Sequence, residues 1–208
     1  MEGLVLELQR DALDSNIRIT DLLRKALLVS RKLKIKDIEE WLNFELNGYM
    51  NTTVPEYRQV RGELKALNPY NGWIPVMLSS EWQEKLCYTY LNVSVSQISN
   101  LLETSEGGYF KFKYPGDLSN MIMQLMGQNF QPELHITLHQ LVKILDTVRT
   151  KVMEFALDLE SRGILGQGIT FTKYEQQLAQ SITYNTINIE NMENSQIQQA
   201  NDDSSQNR

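Results

Sequence analysis

The feature that most constrains this chain is the stretch from about His139 to Ser161, which is followed by Gly163. Leu141, Leu145, Val148, Val152, Phe155 and Leu159 recur there at steps of three to four residues. Lys143, Glu154, Asp158 and Glu160 take the opposite side. That spacing predicts one long amphipathic helix whose narrow apolar stripe must be buried against other elements. It is expected to be the central packing element of the second half of the chain.

The N-terminal region also has helical spacing. Leu4, Leu8 and Ala12 predict a helix over 3–14. Leu22, Ala26, Val29 and Leu33 predict a second over Asp21–Leu33, with Thr20 as its N-cap. Arg24, Lys25, Arg31 and Lys32 lie off that stripe and form a basic face, either solvated or able to contact phosphates or an acidic partner. A third helix runs from Asp37 to about Asn47 and stops at Gly48, with Trp41, Phe44 and Ile38 expected to face the core. Three helices with short connections favour antiparallel neighbours.

From Arg58 the period changes. Arg58–Leu67 alternates apolar and polar residues around Gly62, predicting a strand with a bulge. Asn68–Gly72 is a turn, and Trp73–Met77 reads as an edge strand because Pro75 has no N–H to donate. Leu86–Val93 is β-prone, and Ser94 is placed to cap a helix reaching Glu103. Tyr109–Tyr114 alternates with its lysines outward and Phe110 and Phe112 inward. Asp117 is the expected N-cap of a helix over Leu118–Met126, and Leu134–Leu138 reads as a last strand. Thr172 is placed to cap a final helix ending near Ser181. The fold class is therefore α+β: an N-terminal three-helix unit, a small mostly antiparallel sheet, a long C-terminal amphipathic helix and an Asn/Gln-rich tail. The expected organisation is a folded domain over 1–182 and a tail over 183–208.

The tail differs in kind. Ile187, Ile189 and Ile197 stand among Asn and Gln positions, including Gln196 and Gln198, with a partial period of two. Such a segment is either disordered or stacks in register between identical chains through Asn/Gln ladders. The second alternative makes a homo-oligomer the expected partner.

Charge and cysteine usage exclude several classes. The net charge is −6, which disfavours wholesale nucleic-acid binding, although residues 18–36 carry seven Lys/Arg against one Asp. No apolar run is long enough to span a membrane, and the acidic opening segment lacks the basic start of a secretory signal. With Cys87 as the single cysteine, a reducing cytoplasm is expected.

No catalytic motif stands out. His135 and His139 have a metal-like spacing, but a strand-to-helix change between them spoils it, so neither a metal nor a cofactor is expected. The best polar cluster is Glu40, Glu45, Glu56, Tyr57 and Arg58. Arg58 either pairs with Glu45 to fix a loop, or Glu45, Tyr57 and Arg58 line a ligand cleft with Arg58 as the anion contact.

Several segments together resemble the AbiTii family: L-L-R-K-A-L in the 22–28 region, W-L-N-F-E-L-N-G-Y at 41–49, P-E-Y-R at 55–58, and L-D-L-E-S-R-G-I-L-G-Q-G at 157–168 followed by T-F-T-K-Y-E. The likeness covers roughly residues 2–180. N-S-Q-I-Q-Q in the tail resembles short C-terminal repeats on assorted bacterial defence and regulatory proteins. The resemblance implies bacterial abortive infection, where the family is described as a toxin-type module, and it transfers no catalytic residues. The expectation is a non-enzymatic defence module that self-associates or binds a partner, whether an acidic protein or a nucleic acid. The alternatives are a toxin enzyme acting on nucleic acid or nucleotide, and a sensor of a phage protein or small signal.

Overall fold

The computed structural model describes residues 3–105 and 107–181. These residues fall into two compact units, one built from the described residues up to Leu46 and from Val148 onward, the other from those between Asn47 and Thr147. The predicted tail contacts Ile187, Ile189, Gln196, Ile197 and Gln198 lie outside the described residues. Among the described residues, no helix is long and apolar enough to cross a membrane.

The first unit holds α1 (Leu4–Leu13), α2 (Ile19–Leu33), α3 (Lys36–Asn47, whose last residue opens the second unit), the later part of α7 (Leu138–Ser161) and α8 (Lys173–Gln180). Leu8, Leu22, Leu33, Ile38 and Phe155 are fully buried in it. Arg149 of α7 donates to the carbonyls of Asp11, Ala12, Asp14 and Ile17, giving the end of α1 the partners that a helix C-terminus lacks. Thr20 is not the cap of α2. That position falls to Arg18, and Thr20 lies inside the helix. Asp21 instead takes Arg18 at 2.9 Å and Arg24 at 3.0 Å.

The family-like segment after α7 closes on itself. Glu175 accepts N–H bonds from Leu165 (3.1 Å) and Gly166 (2.8 Å) at one oxygen. The other oxygen takes the N–H (2.8 Å) and hydroxyl (2.9 Å) of Thr172. Thr172 and Glu175 form a reciprocal capping box on α8, so the predicted cap stands. Leu4 N–H reaches the Gly168 carbonyl at 3.1 Å, which ties the first residues of α1 to this turn.

The second unit contains a 3-10 turn (Glu56–Arg58), β1 (Gln59–Arg61), β2 (Glu63–Asn68), β3 (Gly72–Pro75), α4 (Ser80–Leu86), β4 (Tyr88–Tyr90), α5 (Val95–Thr104), β5 (Tyr109–Lys113), α6 (Gly116–Met126), β6 (Pro132–Thr137) and the start of α7. β1 pairs with β4. The order β3-β2-β6-β5 makes a second, wholly antiparallel sheet. The strand predicted around Gly62 is thus two strands in two sheets. A Cβ at Gly62 would lie 2.4 Å from Leu134 Cγ, and its N–H bonds to the Cys87 carbonyl at 2.8 Å, so only glycine fits where the chain changes sheets. Asp117 is likewise inside α6, with Pro115 at the cap position. Ser94 caps α5 as expected, in a capping box with Gln97.

Register and burial separate the two faces of the four-stranded sheet. The even-numbered residues Leu64, Ala66, Leu134 and Ile136, with Phe110 and Phe112, join a core completed by Ile98 of α5, Ile122 of α6, and Leu141 and Ile144 of α7. The odd-numbered residues occupy the opposite face. α7 therefore serves both units, since the boundary between them falls within it, after Thr147. It is not confined to packing the second half.

Candidate functional site

β6 is the inner strand on which the site is built. Its sequence P-E-L-H-I-T is buried from Pro132 to Ile136, on both faces. Leu134 and Ile136 on one face are ordinary core. Glu133 and His135 on the other are only 7% and 5% exposed, in the company of polar side chains. Pairing sets His135 between Glu63 of β2 and Lys111 of β5, and Glu133 between Lys65 and Lys113. Glu63 itself is engaged by Lys65 at 3.0 Å.

Aromatic rings complete this face. The Trp73 ring meets the His135 ring edge-on at 4.7 Å, and the Tyr109 ring lies 6.2 Å away on a tilt. Each aromatic is covered by a cation: Lys111 Nζ sits 5.4 Å from the centre of the Trp73 ring, and Lys65 Nζ sits 5.4 Å from that of Tyr109. Thr104, Ser105, Tyr109 and Lys111 line an open pocket of about 270 Å³ beside it.

Two buried atoms here, Glu133 Oε2 and His135 Nε2, have no hydrogen-bond partner. Buried polar atoms of that kind are rare in folded proteins, because an unpaired one bears its desolvation cost in full. Burial is the main cause that lowers the His135 pKa from its ordinary 6.5. Lys65 and Lys111 add to it, and Glu63 opposes. The imidazole is thus neutral near pH 7, with one nitrogen able to donate and the other to accept. Chemically, the face offers an acceptor, a neutral imidazole, flat rings and ammonium groups in one patch.

The expected cleft residues Glu45, Tyr57 and Arg58 come from α3 and from the 3-10 turn. Glu45 is fully buried on α3. Arg58, also fully buried, donates from Nη1 to the carbonyls of Leu91 (2.9 Å) and Val93 (2.7 Å), and its guanidinium lies 4.8 Å over the Tyr49 ring. Its backbone carbonyl in turn accepts from Leu91 N–H at 3.0 Å. The hydroxyls of Tyr57 and Tyr49 are 3.5 Å apart. Gly48 has φ +95°, and a Cβ there would lie 2.9 Å from the Asn92 carbonyl, to which Tyr49 N–H bonds at 2.7 Å. The N-G-Y and P-E-Y-R segments of the family resemblance thus meet the same 91–93 loop, to which Arg58 bonds through both side chain and backbone.

On the basic face, Arg24 pairs with Asp21, Lys25 with Asp11 at 2.5 Å, and Arg31 with Glu39 at 2.9 Å. Three of its four cations are therefore engaged by the chain's own acids; Lys32 is the fourth. His135 ends on β6 while His139 sits on α7, so the two do not share one helical face. Among the described residues no group of His, Cys, Asp and Glu is arranged to hold a metal ion.

From the sequence, Trp73, Tyr109, Lys65 and Lys111 read only as strand residues, and Glu133 carries no signal of its own. What signal existed was the alternation of Tyr109-Phe110-Lys111-Phe112-Lys113, which puts aromatic and lysine side chains on one face without revealing their partners.

No curated protein and no solved structure matches this chain. The AbiTii family model matches residues 3–184, which takes in all of the described residues. That match takes in both units and every segment that carried the resemblance, so this chain belongs to the AbiTii family, whose membership points to a role in abortive-infection defence against phage.

Proposed function

We propose that this chain is the binding component of an abortive-infection defence. In this reading the polar face of the four-stranded sheet takes a ligand, and the segment 183–208 couples copies to one another. The observation that carries the binding role is the pair of buried, unpartnered atoms on that face, Glu133 Oε2 and His135 Nε2. A chain selected for stability alone gains by making such positions apolar or by pairing them. Their retention beside Trp73, Tyr109 and exposed lysines fits a surface kept for something else. The coupling role is favoured by Ile187, Ile189 and Ile197 set among Asn and Gln.

A phage challenge of cells carrying the full chain tests both parts. Lys111→Gln combined with Lys113→Gln changes two exposed side chains without setting a new carboxylate opposite Glu133, and is expected to abolish protection while the purified protein keeps its melting temperature. Deletion of 183–208 is expected to abolish protection and to reduce the particle to a monomer by light scattering. Full protection by the double variant removes the binding role. An unchanged monomeric mass with and without the tail removes the coupling role.

A toxin enzyme is the second reading, favoured by one observation: neutral His135 and Glu133 stand two residues apart on one strand face, where they can serve as a general acid–base pair. Product formation from nucleic acid or nucleotide that stops with His135→Gln would establish it.

A further inference from the structure

The ligand of the sheet face can be named by its chemistry, on the reading that this face is the binding surface. We propose that it holds a short run of single-stranded nucleic acid, with bases laid on the Trp73–His135–Tyr109 row and phosphates taken by Lys65, Lys111 and Lys113.

Each requirement of such a ligand has a counterpart. Unpaired bases stack on aromatic side chains presented by an antiparallel sheet, and they do so with little regard for sequence. Trp73 and Tyr109 are half-buried in the face, with His135 beside both. The ammonium groups now resting on the two rings mark where a base would lie. An arriving base displaces them, and each freed lysine then meets the phosphate attached to that base. Lys111 and Lys113 are exposed, and neither makes an ion pair among the described residues. They lie on the same side of β5 and are about 6.7 Å apart along an extended strand. That spacing is close to the phosphate repeat of a stretched single strand.

The unpartnered atoms select among charged ligands. Glu133 Oε2 is an acceptor and repels an acidic peptide, but it accepts from the amino edge of cytosine, adenine or guanine. His135 Nε2 can donate to or accept from a base edge, depending on its tautomer. A duplex hides the base faces in its stack, so it cannot satisfy the rings, even though its grooves still present amino groups. Net charge does not oppose the idea locally: the face carries Lys65, Lys111 and Lys113 against Glu63 and Glu133, and Lys65 already engages Glu63.

Fluorescence anisotropy on the full chain tests this, with labelled RNA and DNA single strands of about ten nucleotides and the matching duplexes. Single strands are expected to bind and duplexes to bind more weakly. Trp73→Ala and Tyr109→Ala should each weaken binding by about 5- to 100-fold, the loss of one stacked base. The wild-type slope of log affinity against log salt should be about −2 for three phosphate contacts, and it should flatten in Lys111→Gln with Lys113→Gln.

Three results overturn the proposal. One is no binding of any strand at roughly 100 μM protein, the weak end of non-specific affinity. Another is wild-type affinity in both aromatic variants. The third is displacement of the strand by an equal concentration of mononucleotide, which would make the site a nucleotide pocket. If strands fail to bind but the double lysine variant still loses phage protection, the ligand class is wrong and the face remains the site. If protection is also unaffected, the binding role fails with it.

Discussion

Around Glu175 every carboxylate oxygen meets donors: the N–H groups of Leu165 and Gly166 on one side, and the N–H and hydroxyl of Thr172 on the other. Arg58 is satisfied in the same way, fully buried yet bonded to the carbonyls of Leu91 and Val93 and laid on the Tyr49 ring. On the sheet face, by contrast, Glu133 Oε2 and His135 Nε2 are buried and bonded to nothing. Hydrogen bonds offset the cost of desolvating a polar group, and an unpaired buried group bears that cost in full. The first two places are completed by the chain itself and hold it in shape. The third is left incomplete, and the proposed binding role draws on that difference. The family-like segments coincide with the completed places, so the resemblance recognises the scaffold more than the site.

The comparison is broken most sharply at Arg58. Arg58→Ala removes the charge-assisted hydrogen bonds to the Leu91 and Val93 carbonyls and leaves both without that donor. At about 1.5–3 kcal/mol for each such bond, the second unit should lose about 4 kcal/mol. Denaturant unfolding followed by circular dichroism reads this directly. A loss below about 1 kcal/mol would return Arg58 to the ligand candidates, because little of its bonding would then be structural. Glu175→Ala comes next. It removes the capping box of α8 and the partners of two turn N–H groups, with an expected loss of about 2 kcal/mol, moderated because the carboxylate is only half-buried.

How much of this was legible in the sequence depended on how local each cause was. The stripe of α7 was readable because its period lies in one segment, and Leu141, Val148, Val152, Phe155 and Leu159 are all buried. The capping boxes at Ser94 and Thr172 were readable because both partners lie three residues apart. Thr20 and Asp117 misled because cap-type residues also sit well in a first turn, where Asp21 and Asp117 favour the helix dipole. Gly62 suggests a bulge within one strand, and only the approach of Leu134 from β6 explains why the strand divides there. The sheet face was illegible for the same reason. Glu63, Lys65, Tyr109, Lys111, Glu133 and His135 come from three separate segments, and strand register between distant segments cannot be read from any one of them.

Opposite signs sharpen the contrast further. Glu133→Leu or His135→Leu should leave stability unchanged or raise it by about 1 kcal/mol, since each removes an unpartnered buried polar atom. Both should weaken single-strand binding. A loss of about 2 kcal/mol, as at Glu175, would mean the face is a finished scaffold and the distinction drawn above is false.

The smallest effect separates the two regions by pH. Burial alone would raise the Glu175 pKa, but the bonds from Thr172, Gly166 and Leu165 outweigh it and hold it below its ordinary 4.5. The folded state thus binds that proton less readily than the unfolded chain, and the stability Glu175 confers is complete above about pH 4.5 and lost as pH falls through its folded value. For His135, burial first and then Lys65 and Lys111 lower the pKa from 6.5, with Glu63 opposing. Its unfolded form therefore takes up a proton first, and stability declines as pH falls from about 6.5 towards the folded value. Between about pH 7.5 and pH 5.5 the urea midpoint should fall in the wild type and in Glu175→Ala, and should fall less in His135→Leu. Equal declines in all three would mean that His135 is protonated as easily in the folded chain as in the unfolded one. It would then be solvated rather than enclosed by the lysines and Trp73, and the case for an incomplete site would rest on Glu133 alone.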